Sequence, residues 1–109
     1  MSKNYSLLFV WSKGAFTRRK IVKIIASENE KGNPIFISAI TTLYNSSIVA
    51  DDKSHTNSSI RKNVKLLKEY GVIRAINEGG RPEYLEITDE GRLILEKMNS
   101  KSKKIPQMI

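Results

Sequence analysis

LLKEYGVIRAINEGGRPEYLEITDEGRLIL, residues 66 to 95, is the stretch on which the reading of this chain turns. It begins as the end of an amphipathic helix and is halted by Gly71, a residue that takes a left-handed backbone at no steric cost. VIRAIN and EYLEI follow as two strand-like runs. Between them EGGRP has the glycine content a reversing backbone needs, so the two runs are expected to form a hairpin with Arg81 at its tip. Thr88 then caps a last helix in TDEGRLILEKM, with Asp89 and Glu90 in the first turn and Lys97 late, the order a helix dipole favours.

Upstream, TNSSIRKNVKLLKEYG (56 to 71) is the clearest helix in the sequence, capped by Thr56, with Ile60, Val64 and Leu67 spaced i, i+4, i+7. Its other face carries Arg61, Lys62, Lys65 and Lys68 against the single Glu69. Nearer the amino terminus, TRRKIVKIIASE predicts a helix over 17–28, with Thr17 as cap and Ile21, Ile24 and Ile25 facing inward. Arg18, Arg19, Lys20 and Lys23 are expected on its wet side, as ordinary surface or as phosphate ligands. Gly32 and Pro34 punctuate a turn, PIFI (34 to 37) is a short β-like run, and Ser38 caps a helix over 39–46 with Ile40, Leu43 and Tyr44 on one face. SSIVADDKSH shows no period.

A chain of 109 residues accommodates one domain. We divide it into an apolar segment 1–16, a folded unit 17–98 and a basic, flexible tail 99–109. Nineteen lysines and arginines against eleven acidic residues leave a formal charge of +8 and a pI near 9.8, which draws the molecule toward polyanions, nucleic acid first among them. LLFV at 7 to 10 is the longest apolar run, far short of the roughly 20 residues a spanning helix needs, and the amino terminus lacks the pattern of a signal peptide, so a cytoplasmic protein is expected. There is no cysteine, which excludes disulfides, thiolate catalysis and cysteine zinc sites. His55 is the lone imidazole, so no metal or other cofactor is expected, and no phosphate-binding loop or tuned carboxylate pair suggests an enzyme.

Helix, short strand, helix, basic helix, glycine-tipped hairpin, capped helix is the order of a winged helix-turn-helix, an α+β class that is mainly helical with one β-hairpin wing. Residues 66–95 resemble the helix-wing-helix half of MarR/PadR-type winged-helix DNA-binding regulators, in which a leucine-rich helix end, a "Gly-Val/Leu-Ile" step, a polar tip and "Leu-x-Ile-Thr-x-x-Gly" recur. The resemblance implies that the helix at 57–70 enters a major groove and that the tip at 79–82 touches backbone or minor groove beside it. It covers about residues 17–98. One departure stands out: about ten residues separate the second and third helices where a turn of three or four is usual, and Asp51 and Asp52 lie among them, so either this acidic loop points away from DNA or a further helical turn occupies 47–53.

Asn57, Ser58, Ser59, Arg61 and Lys62 lie in the amino-terminal half of the basic helix and off its apolar stripe, which suits base contacts. Lys65 and Lys68 suit phosphates, and Arg81 is held out toward an anionic groove. Tyr5, Leu8, Phe9 and Trp11, with Leu95 in the last helix, are expected to form a dimer contact; the alternative is a monomer whose amino-terminal segment covers its own last helix. The expected function is that of a homodimeric transcriptional regulator on double-stranded DNA. Two alternatives stand beside it: an architectural, plasmid-partition or chromatin adaptor that coats DNA and hands it to a second protein, and a winged-helix module that binds proteins.

Overall fold

A computed structural model of the chain describes residues 14–46 and 56–97. Tyr5, Leu8, Phe9, Trp11, Asp51, Asp52, His55 and the tail lie outside the described residues. The elements run α1 (Ala15–Glu30), α2 (Ile37–Ser46), α3 (Asn57–Glu69), β1 (Ile73–Ala75), β2 (Leu85–Ile87) and α4, helical over 89–97. This is a winged helix: three helices packed together, a two-stranded wing and a fourth helix whose Ile94 and Leu95 pack against the core.

α1 is the central element, packing against α2, α3 and β2, and its position corrects the sequence reading. The helix begins at Ala15 with Gly14 as its N-cap residue, so Thr17 is not a cap; it lies within the helix and is buried. Arg18 is buried as well, not on the wet side. At 100° per residue Arg18 falls on the face shared by Ile21, Val22, Ile25 and Ala26, and that face meets three other elements. Ile24 is only partly buried, and Val22 takes the inward place expected of it. The Arg18 guanidinium donates to Asn63 Oδ1 of α3 at 3.1 Å, and the Tyr44 hydroxyl of α2 lies 3.4 Å from that of Thr17, so polar groups drawn into the core meet partners across helices.

The run at 34–37 forms less strand than expected. Ile35 alone makes an antiparallel bridge, its amide and carbonyl exchanging hydrogen bonds with Leu85. α2 begins two residues later, at Ile37, so Ser38 stands inside that helix and does not cap it, and the Ile40 amide reaches back to the Phe36 carbonyl. Ile40 and Tyr44 are buried, while Leu43 is exposed beside them.

α3 matches its sequence signature. Thr56 Oγ1 accepts from the Ser59 amide, and Ile60, Val64 and Leu67 enter the core. At the other end the Gly71 amide donates to the Lys68 carbonyl and the Val72 amide to that of Leu67, a Schellman pair made possible by the positive φ of Gly71. Val72 is thereby folded back onto Leu67, and the chain leaves α3 directly into the wing. β1 and β2 pair antiparallel, Ile73 opposite Ile87 and Ala75 opposite Leu85, with Arg74 and Glu86 ion-paired across the exposed face.

α4 is clamped where the wing returns. The Thr88 hydroxyl accepts from the Gly91 amide as expected of a cap, and also donates to the Gly71 carbonyl at 2.6 Å, with that of Val72 at 3.0 Å. Gly91 is needed at this contact because a Cβ there would meet the Val72 carbonyl oxygen at 2.2 Å. The Thr-x-x-Gly spacing is thus a physical clamp between the end of α3 and the start of α4.

Candidate nucleic-acid interface

Side chains from three elements line one open groove of about 560 Å³. Arg61, Val64, Lys65 and Lys68 come from α3, Phe36, Ile37 and Ser38 from the start of α2, and Gly80, Arg81, Pro82 and Glu83 from the wing. Residues 61, 65 and 68 share a flank of α3, which places them toward the wing, while Ile60, Val64 and Leu67 hold the adjoining flank in the core. Arg61 and Arg81, twenty positions apart, therefore line the same concavity and are both exposed.

The wing tip is built around Asn77, which sequence reasoning passed over. Its side-chain amide donates to the Pro82 carbonyl at 3.1 Å and its Oδ1 accepts from the Tyr84 amide, while its own carbonyl accepts from the Gly80 amide at 2.8 Å. One residue thus closes the loop by satisfying backbone groups on both legs. Gly79 supplies the positive φ; Gly80 is required for a different reason, since a Cβ there would lie 2.2 Å from the Asn77 side chain. Behind the tip, Phe36 and Tyr84 meet edge to face with ring centroids 5.6 Å apart.

Lys68 is occupied within the protein. Its ammonium lies 2.8 Å from Glu83 and 3.4 Å from Glu78, carboxylates on the two legs of the wing, and the second oxygen of Glu83 accepts from the Gly79 amide at 3.0 Å. The hydrogen bond from Lys68, reinforced by the Gly79 amide, holds the Glu83 carboxyl below the usual carboxylate range. The same hydrogen bond raises Lys68 above the ordinary lysine value, even though partial burial pulls the other way.

The remaining candidates distribute around α3. Asn57, Ser58 and Lys62 are exposed in its first turns but stand outside the groove, on the outward side of the helix. Ser59 is half-buried, with its amide held by Thr56 and its carbonyl accepting from Asn63 Nδ2. On α1, Arg19 stacks over Phe16 and the Lys20 ammonium lies 4.7 Å from the Tyr44 ring centroid. Lys20 and Lys23 line a separate depression between α1 and α2. Leu95 is half-buried against the core, and it is Leu93 that turns its apolar side chain to solvent on α4, 60% exposed. The i, i+3, i+4 spacing of Gly91, Ile94 and Leu95, which leaves Leu93 off that face, is the sequence signal that separates the two.

Among the described residues no group of three or more acidic or imidazole side chains is placed to hold a metal ion, and no helix is long and apolar enough to cross a membrane.

No protein-family model matches the sequence, and no curated protein matches it by sequence. Solved structures do share its fold. AF1382 from Archaeoglobus fulgidus superposes with a TM-score of 0.63 at 21% identity, covering 94% of this chain and 97% of that one. A PadR family transcription regulator from Clostridium difficile gives 0.63 at 16% identity over 85% of this chain and 93% of its own. FabT of Streptococcus pneumoniae, solved in complex with DNA, gives 0.62 at 16% identity over 95% of this chain, which spans 66% of FabT. The chain has the winged-helix fold of these proteins.

Proposed function

We propose that the protein is a cytoplasmic winged-helix regulator that binds double-stranded DNA as a homodimer. The observation that carries this reading is the shared groove, in which Arg61 and Lys65 of α3 stand beside Arg81 of the wing. A helix fits the major groove, and an arginine on an adjacent hairpin reaches phosphate or minor groove on the same face of the duplex. Asn57, Ser58, Ser59, Arg61 and Lys62 meet the base edges in this reading, Lys65 a phosphate, and Arg81 the neighbouring groove. A net charge of +8 supports it, as does the fold shared with FabT, solved in complex with DNA, and with a PadR family transcription regulator. The dimer joins the segment 1–16 to the apolar surface of α4, where Leu93 adds to the contact expected of Leu95.

Duplex binding measured across salt tests the proposal. A protein that neutralises several phosphates loses affinity steeply as salt rises, with a slope of about 0.9 per phosphate. A flat response removes the DNA reading. Footprinting on host DNA then separates operator binding, which yields a bounded protected site, from coating, which spreads with protein concentration.

A further inference from the structure

We propose that Lys68 and Glu83 form a latch that pins the wing to α3 and sets the position of Arg81, so that Lys68 serves DNA binding as a positioning residue and not as a phosphate ligand. This rests on the DNA-binding reading above and assigns the site a device that the groove alone does not reveal. Lys68 stands at the carboxyl-terminal end of α3, on the flank facing the wing, and its ammonium is shared between Glu83 at 2.8 Å and Glu78 at 3.4 Å. Those carboxylates precede and follow the tip, so a single cation ties both legs to the helix. Glu83 also accepts from the Gly79 amide, which carries the constraint into the turn itself, two residues from Arg81. Inside the tip the Asn77 carbonyl accepts from the Gly80 amide before Arg81 and its side chain bonds to Pro82 and Tyr84 after it, so the turn moves as one unit and the latch decides its angle to α3.

Simple electrostatics and the latch predict opposite signs for one substitution. Glu83→Gln removes a negative charge from a surface that meets phosphates and leaves Lys68 with Glu78 as its one carboxylate partner among the described residues, so charge counting alone makes the duplex bind more tightly. If the latch operates, the same change frees the wing, Arg81 loses its place, and affinity falls by about fivefold or more, the size of one lost groove contact. The test is duplex affinity at fixed salt for the wild-type protein, Glu83→Gln, the charge swap Lys68→Glu with Glu83→Lys, and Glu83→Gln in an Arg81→Ala background. Hydrogen exchange at the Gly79 and Tyr84 amides is followed in parallel.

The expected results are weaker binding by Glu83→Gln, recovery of most of the loss in the charge swap, faster Gly79 exchange with a thermal midpoint lowered by no more than a few degrees, and no further weakening when Arg81 is already absent. Equal or tighter binding by Glu83→Gln overturns the latch, and so does an undiminished loss in the Arg81→Ala background. A wild-type protein that binds no duplex refutes the DNA reading instead; the wing constraint is then judged by exchange alone, and unaltered Gly79 protection in Glu83→Gln overturns it.

Discussion

At the scale of single residues, the strongest constraints lie where backbone or polar atoms approach each other, and composition gives no hint of them. Gly91 is the sharpest case. A Cβ at this position is 2.2 Å from the Val72 carbonyl and 2.7 Å from Ile87. Gly91→Ala therefore forces α4 away from the end of α3, and we expect a loss of about 1–3 kcal/mol, the usual cost of overpacking, read as a lower denaturation midpoint with an unchanged m-value. Arg18 is the second case. Its buried guanidinium donates to Asn63, and burial draws it below the ordinary arginine value. Asn63→Ala removes an acceptor from a desolvated cation, and the expected destabilisation is about 1–3 kcal/mol in chemical denaturation. An exposed helix position treated the same way changes stability by less than about half a kcal/mol.

At the scale of elements, the caps and the wing behave as separable units. Thr56→Ala exposes the first amides of α3, which costs about 1 kcal/mol and frays the turn carrying Asn57, Ser58 and Ser59. Circular dichroism should register a lower melting point, and hydrogen exchange should accelerate first at the Ser59 amide. The wing responds to pH with a definite sign. Glu83 is depressed in the folded protein, so its stabilising contribution is present above the ordinary carboxylate value and is lost as pH falls through the depressed one. Lys68 is raised, so its contribution is present below the ordinary lysine value and is lost as pH rises through the elevated one. The ion pair thus acts across the whole neutral range and opens only toward strong acid or strong base. Because both groups are partly solvated, the pair contributes about 1 kcal/mol at most. Acidification should therefore shift the Gly79 amide resonance while core signals from α1 and α3 stay in place.

At the scale of the whole molecule, the proposed duplex binding and the proposed dimer are tested separately, one through surface charge and the other through apolar surface. Lys65→Ala should weaken all duplexes alike and lower the salt slope by about one, whereas Arg61→Ala should relax sequence preference. Equal effects of both on every duplex would refute the division between them. Leu93→Glu tests the proposed dimer, since a carboxylate on the most exposed apolar side chain of α4 opposes self-association through that face. Sedimentation equilibrium should show the variant as a monomer, with weaker binding to a two-site duplex and unchanged binding to a single half-site.

The sequence alone determined the elements whose signals are local. The period of Ile60, Val64 and Leu67, the cap at Thr56, the positive φ at Gly71, the hairpin around Gly79 and the cap at Thr88 all depend on neighbours within a few positions, and each stands in the structure as read. The 17–28 helix was legible in kind but not in its ends or its inward face, because the environment of Arg18 and Thr17 is created by α2 and α3 packing over them. PIFI looked like a strand because β-branched residues suit one, yet the start of α2 leaves Ile35 a single bridge. In the candidate site, Arg61 and Arg81 were identifiable as cations on a helix and a tip, but only the tertiary structure brought both into one groove and turned Lys68 inward to Glu83. Periodicity and turn chemistry are properties of contiguous chain, whereas which cation faces open solvent and which meets a carboxylate ten or fifteen residues away depends on how the elements pack.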